Sequence, residues 1–154
     1  MIKLSKAMEE VKELVDPDRV PSQVTLRRWA SKNIITGVAE GKKHGAVYPN
    51  IVVLEIAAAI ELKERFTLKE ISKFRNDVGF DIDKDISASE FIELLNEYVD
   101  QLEDKQENLK ANVENGNKSI DELEKGIDEL KKIKNNLNIL KDYHQILTKT
   151  LDKM

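Results

Sequence analysis

The chain has 154 residues, of which 35% are charged and only 5% aromatic, a composition typical of a helix-rich protein with a small core for its length. The absence of cysteine excludes disulfides, thiolate metal sites and cysteine nucleophiles, and two histidines far apart in sequence argue against a histidine zinc cluster. The net charge of −4 is uneven: residues 1–80 carry 14 Lys/Arg and 11 Asp/Glu (+3), and residues 81–154 carry 11 and 18 (−7).

The first predicted elements are two short helices separated by a turn. Apolar residues at intervals of three and four predict a helix over residues 5–15, which the prolines and aspartates of "DPDRVP" end. A second helix follows in "VTLRRWASKNIITG", residues 24–37. Its apolar face is formed by Leu26, Trp29, Ala30 and, one turn further on, Ile34. Two short helices joined by a tight turn, the second with a basic face, indicate a helix-turn-helix.

A β-hairpin, or wing, is predicted next. Two strand-like ends, Ile34–Ile35 and Val47–Tyr48, flank a tip rich in glycine and lysine. Asn50 is then predicted to cap a helix from Ile51 to about Arg65. A capping box, Thr67 with Glu70, opens a further helix.

From residue 87 the pattern becomes that of a coiled coil. Two more capping boxes (Ser87 with Glu90, Ser119 with Glu122) flank the turn dipeptide Asn115-Gly116. A helical hairpin turning at residues 115–118 is therefore favoured over one continuous helix of roughly 100 Å. The apolar side chains along this coil must be buried. A helix from a second chain is the simplest element that could bury them, so we predict a homodimer. The residues predicted for dimerisation are Phe91, Leu95, Tyr98, Leu102, Leu109, Val113, Ile120, Leu123, Ile127, Leu130, Leu137, Leu140 and Leu147.

The sequence thus predicts a mainly α fold with two domains. Residues 1–80 form a winged helix-turn-helix head with a small β-hairpin wing, and residues 86–154 form a long helical coiled coil. The longest apolar run, Ile51–Ile60, is too short to span a bilayer and contains Glu55. Because residues 1–10 also lack the apolar core of a signal peptide, we predict a cytoplasmic, nucleoid-associated protein without membrane contact.

A basic patch suggests a nucleic-acid partner. Residues 19–44 contain six Lys/Arg and one acid, a local charge of +5, which is typical of a small nucleic-acid-binding surface. The candidate DNA-binding residues are Ser22, Gln23, Thr25, Arg27, Arg28, Lys32, Lys42, Lys43 and His44.

Each part of this patch has an expected role. The guanidinium groups of Arg27 and Arg28 are suited to phosphate oxygens. Side chains at the N-terminal end of the second helix meet base edges in this motif, and the amide of Gln23 is suited to adenine. Ser22 has helix capping as an alternative role. The tip, residues 42–44, either contacts flanking phosphates or forms a solvated turn, and Trp29 is expected in the core.

The order of these parts resembles the MerR family of winged helix-turn-helix regulators. Its recognition helix carries Thr-Leu-Arg and an aromatic residue, which Thr25-Leu26-Arg27 and Trp29 match, with Asn33 at the usual glycine. After the wing, Tyr48 matches the family's tyrosine, and "RFTLKEI" matches its Gly-Phe-(Ser/Thr)-Leu-x-Glu-Ile run except at the glycine. The resemblance covers residues 1–77 in detail and adds Tyr48 to the DNA-binding residues. It departs at Ala46-Val47, where the family's wing presents an arginine.

The resemblance implies a dimeric transcriptional regulator that reads a pseudo-palindromic site in double-stranded DNA and twists promoter DNA. An alternative is a DNA-anchoring or chromosome-organising protein whose acidic coil recruits protein partners, and a third is an interaction module with no DNA role. No effector is identified. "GVAEGKKHG" lacks the Walker spacing, and "DIDKD" lacks the glycine and closing glutamate of an EF-hand, which makes a solvated linker the better interpretation. We therefore expect no enzymatic activity, no cofactor and no metal.

Overall fold

The computed structural model describes residues 1–41, 45–80, 82, 85–116 and 118–154. Within them the chain is mainly helical, as predicted. The helices are α1 (Leu4–Leu14), α2 (Gln23–Ser31), α3 (Val52–Leu62), α4 (Leu68–Val78), α5 (Ala88–Glu114) and α6 (Ile120–Asp152), and a 3₁₀ turn, Pro17–Arg19, joins α1 to α2. In the described part of the chain, no helix combines the length and hydrophobicity that crossing a bilayer requires.

Helix α2 ends earlier than the apolar pattern suggests. Asn33 adopts a left-handed backbone with φ of 58°. The N–H of Ile34 donates to the carbonyl of Trp29 (2.8 Å) and that of Asn33 to Ala30 (3.2 Å), the two bonds of a Schellman motif. Asparagine tolerates this conformation better than most residues, so it can replace the usual glycine. Ile34 therefore enters the core from the turn after α2 rather than from the helix itself.

The segment predicted as a wing contains isolated antiparallel bridges. One joins Glu40 to Val47, and another joins Tyr48 to Ile2, just before α1. The strand-like end predicted at Ile34–Ile35 is wrong, because both residues lie in the bend after α2 with their side chains buried in the core. The predicted tip, residues 42–44, lies outside the described residues.

Helix α3 is the centre of the core, and all its residues except Glu61 are buried. It packs against α1 and α6. The prediction that Asn50 caps it is wrong: the side chain and the backbone N–H of Asn50 both donate to the carboxylate of Asp85 (3.1 and 2.9 Å). Asp85 also accepts from the N-terminal ammonium group at 2.9 Å. This end of the predicted "DIDKD" linker is therefore bonded to the head, whereas Asp81 and Asp83 lie outside the described residues.

Capping side chains start α4, α5 and α6. The boxes Thr67 with Glu70 and Ser87 with Glu90 are confirmed, since both reciprocal bonds are present in each. At α6 the Oγ of Ser119 accepts from the N–H of Glu122 at 3.3 Å.

We expect Thr67→Ala to lower the free energy of unfolding by about 1 kcal/mol, because it removes the cap that starts α4. Thr148→Ala is the matched control, since Thr148 is exposed within α6 and bonds only a carbonyl of its own helix. Urea unfolding followed by circular dichroism measures both. Equal losses in the two variants would contradict a specific contribution from the cap.

The predicted helical hairpin is confirmed, since α5 ends at Glu114 and α6 runs back along it. The helices approach closely where Gly126 faces Val113: a Cβ on the glycine would lie 2.7 Å from Val113 Cγ2. Along the stretch that pairs with α5, α6 also packs on α3 and α4 of the head. Both predicted domains therefore contribute to one hydrophobic core.

This arrangement corrects the premise of the homodimer prediction, because α5, α6 and the head together cover most of the apolar stripe within one chain. The predicted dimerisation residues already buried are Phe91, Leu95, Leu102, Leu137, Leu140 and Leu147. Those partly buried are Tyr98, Leu109, Val113, Leu123 and Leu130. Ile120 and Ile127, near the hairpin turn, are 75% and 44% exposed. A second chain is not needed to cover the buried residues.

Candidate nucleic-acid interface

Helix α2 separates an apolar face from a basic one. Leu26 and Trp29 are buried, with 0% and 3% of their surface exposed, whereas Arg27 and Arg28 are exposed. The Nζ of Lys63 lies 6.0 Å from the centroid of the Trp29 ring. The expectation that Trp29 belongs to the core is confirmed. Its indole fixes the helix, so the two arginines point away from the protein.

Side chains at the N-terminal end of α2 bond to one another. The Oγ of Ser22 accepts from the N–H of Thr25 at 3.3 Å, and its hydroxyl donates to Thr25 Oγ1 at 3.2 Å. The capping role considered for Ser22 is therefore present. One turn on, Arg27 Nη2 donates to Gln23 Oε1 at 3.3 Å, which places an amide and a guanidinium side by side on one flank.

Three segments distant in sequence meet beside this flank. They enclose a recess of about 220 Å³ lined by Lys3, Leu4, Ser5, Gln23, Arg27, Ala46 and Tyr48. The bridge between Ile2 and Tyr48 brings the start of α1 to this position. Tyr48 and Arg27 both line the recess. Burial raises the pKa of Tyr48, and the positive charge of Arg27 partly opposes the shift. The structure thus groups three predicted site residues, Gln23, Arg27 and Tyr48.

The other predicted DNA-binding residues are not part of this group. Arg28 and Lys32 are exposed on α2 and at its C-terminal cap, and neither lines the recess. The carbonyl of Lys32 accepts from Ser72 Oγ of α4, which ties the end of α2 to the core. Lys42, Lys43 and His44 lie outside the described residues.

Behind α2 lies a buried polar network. Thr36 donates from its N–H and its hydroxyl to the two carboxylate oxygens of Glu55, both at 3.0 Å. Arg75 Nη1 lies 2.6 Å from Glu55 Oε2 and donates to the hydroxyl of Tyr143 at 3.2 Å. The side chains of Glu55 and Arg75 are 0% and 1% exposed. The network therefore joins the segment after α2 to α3, α4 and α6.

The charges in this network support one another. Burial alone lowers the pKa of Arg75, but the neighbouring Glu55 and Tyr143 outweigh it, so the pKa is raised. Burial also raises the pKa of Tyr143, which keeps its hydroxyl protonated. The guanidinium carbon of Arg75 lies 4.6 Å from the centroid of the Phe80 ring. A buried carboxylate requires such partners, since an unpaired buried charge is strongly destabilising.

Two features of this region were missed from the sequence. Lys3 and Ser5 join the recess only because Tyr48 pairs with Ile2, and nothing in the periodicity of residues 1–15 indicates that pairing. Glu55 did give a signal, as the single acid in an apolar run, but the sequence does not identify Arg75 as its partner.

The exposed groups around α2 are hydrogen-bond donors and cations suited to phosphate oxygens and base edges. Among the described residues, no three His, Asp or Glu side chains are placed to share a metal ion. Comparison of the chain with protein-family models, curated proteins and solved structures found no match. Function is therefore inferred from the geometry of α2 and its surroundings.

Proposed function

We propose that the protein is a dimeric DNA-binding transcriptional regulator of the winged helix-turn-helix type, similar to the MerR family. One observation carries the proposal: α2 follows α1 through a short turn, buries Trp29 and Leu26, and leaves Arg27 and Arg28 exposed on its outer side. A helix fixed by its apolar face, with cations on the opposite one, has the form of a recognition helix.

In this proposal α2 lies in the major groove of double-stranded DNA. Gln23 and Thr25 are at its N-terminal end, where side chains reach base edges, and Arg27 and Arg28 hold phosphates beside them. The hydrogen bond that Gln23 accepts from Arg27 is 3.3 Å, which is long for an N–H···O bond. On DNA, Gln23 gives up this bond and forms hydrogen bonds with a base edge instead. The segment from Glu40 to Val47 acts as the wing beside the DNA backbone.

The dimer surface that we propose is the distal part of the α5–α6 hairpin. Most of the apolar stripe is used within one chain, but Ile120 and Ile127 are largely exposed there, and Leu123 and Leu130 are partly buried. Their spacing of three and four residues places all four on one side of α6. Two chains joined in this way would present two α2 helices to an inverted repeat.

A second candidate is a DNA-anchoring or chromosome-organising protein. The same exposed apolar side chains, Ile120 and Ile127, lie on an acidic hairpin, which suits recruitment of another protein as well as self-association. The two candidates differ in how α2 uses DNA. A regulator discriminates between DNA sequences, whereas an organiser relies on the electrostatic attraction to DNA phosphates, which does not depend on sequence.

Selection from a pool of randomised duplexes by the purified protein tests this function. An enriched inverted repeat, bound by two chains per duplex as measured by light scattering, is the result expected of the regulator. Salt-sensitive binding without an enriched sequence would favour the organiser instead. No binding at low salt would contradict both and leave the hairpin as the functional surface.

A further inference from the structure

We propose that the recess between the start of α1, the flank of α2 and Tyr48 binds one phosphate group of the DNA backbone. This inference rests on the proposed function and adds a contact that precedes the recognition helix in the chain. The groups expected to hold the phosphate are the side chains of Lys3, Ser5, Arg27 and Tyr48 together with the first backbone N–H groups of α1.

The first support is the composition of the recess. Its described lining contains two cations, Lys3 and Arg27, and no acid. Arg27 lines the recess, and in the free protein its guanidinium also donates to Gln23, which lines the same recess. Phosphate oxygens only accept hydrogen bonds, so a lining of cations and N–H or O–H donors is complementary to them.

The second support is the start of α1. Lys3 occupies the N-cap position without a side-chain cap, and the first N–H groups of any helix have no acceptor within it. These groups and the helix dipole favour an anion at this end. The 11-residue helix begins at Leu4, and both Leu4 and Ser5 line the recess.

The third support is Tyr48, which is independent of the helix terminus. Only 3% of its surface is exposed, yet no described residue forms a hydrogen bond with its hydroxyl. Tyr48 lines the recess, where its hydroxyl can donate to a bound ligand. Arg27 lines the same recess, so its positive charge is available there beside the phenol of Tyr48. A phosphate oxygen in the recess would accept from this hydroxyl and pair with the guanidinium.

Lys3→Gln and Tyr48→Phe test the site, and Lys6→Gln is the matched control, because Lys6 is exposed on α1 but does not line the recess. Fluorescence anisotropy with a 30-base-pair duplex gives the affinity over a series of salt concentrations. Lys3→Gln is expected to weaken binding about 5- to 10-fold and to reduce the slope of log K against log salt by about one. Tyr48→Phe is expected to weaken binding about 5-fold without changing that slope, since it removes a neutral donor. Lys6→Gln should stay within about 2-fold of the unchanged chain.

The outcomes separate this inference from the proposed function. If Arg28→Ala weakens duplex binding while Lys3→Gln and Tyr48→Phe match Lys6→Gln, the recess is not a DNA contact and the proposed function stands. If the unchanged chain binds no duplex, the proposed function fails first. If inorganic phosphate shifts the NMR signals of Ser5 and Tyr48 but Lys3→Gln leaves duplex binding intact, the recess binds free anions, and the assignment to DNA is overturned.

Discussion

Arg75→Met is expected to lower the free energy of unfolding by about 3–5 kcal/mol, because it leaves the carboxylate of Glu55 buried without its cation. The pair is almost completely enclosed, and the same arginine also donates to Tyr143 on α6. Urea unfolding followed by circular dichroism measures the loss.

Arg65→Met is the matched control for this substitution. Arg65 also forms an ion pair, with Asp142 at 3.0 Å, but its side chain is 69% exposed. A surface pair of this kind contributes about 0–1 kcal/mol. The double variant Glu55→Leu/Arg75→Met should lose less stability than the sum of the single losses, because no unpaired charge stays in the core. A loss for Arg75→Met as small as that for Arg65→Met would show that the buried network does not organise the core.

The double variant Arg27→Ala/Arg28→Ala is expected to reduce the affinity for duplex DNA by roughly 30- to 1,000-fold and the salt slope by about two, since it removes the two proposed phosphate contacts. Both side chains are exposed, and neither forms an ion pair among the described residues, so thermal stability should change little. Anisotropy titrations over a salt series measure both quantities.

Lys110→Ala/Lys125→Ala is the control for charge alone. These lysines are exposed on the distal hairpin, and their removal changes the net charge by the same amount. The affinity of this control variant for the duplex should stay within a few-fold of that of the unchanged chain. Equal losses in the two double variants would mean that binding follows overall charge rather than the face of α2.

The starts of α4 and α5 and the turn before α6 could be predicted because their causes are local. Thr67 with Glu70 and Ser87 with Glu90 identify the starts of α4 and α5, and Asn115-Gly116 identifies the turn between α5 and α6. The burial of Trp29 follows from the apolar spacing within α2 alone. Each of these features depends on residues within about one helical turn of one another.

The strand-like end predicted at Ile34–Ile35 failed for a local reason, the left-handed turn at Asn33, whereas the other failures depended on contacts between distant segments. Apolar residues such as those of Leu137–Leu147 must be buried, but their spacing does not indicate whether α3 and α4 or a second chain buries them. Asparagine is a common N-cap residue, but the side chain and the backbone N–H of Asn50 donate to Asp85 instead. The recess forms because Ile2 pairs with Tyr48, and no periodic pattern in the sequence indicates that pairing.

The most direct test of the proposed interface is the NMR spectrum of the arginine side-chain Nε–Hε groups during titration with duplex DNA. The chain has five arginines, so the probes are few and distributed over the head. Arg19 and Arg65 are bonded to acids, and Arg75 is buried. We expect the signals of Arg27 and Arg28 to shift or broaden while the other three stay in place. Shifts at Arg19 or Arg65 with Arg27 and Arg28 unchanged would contradict DNA recognition by α2.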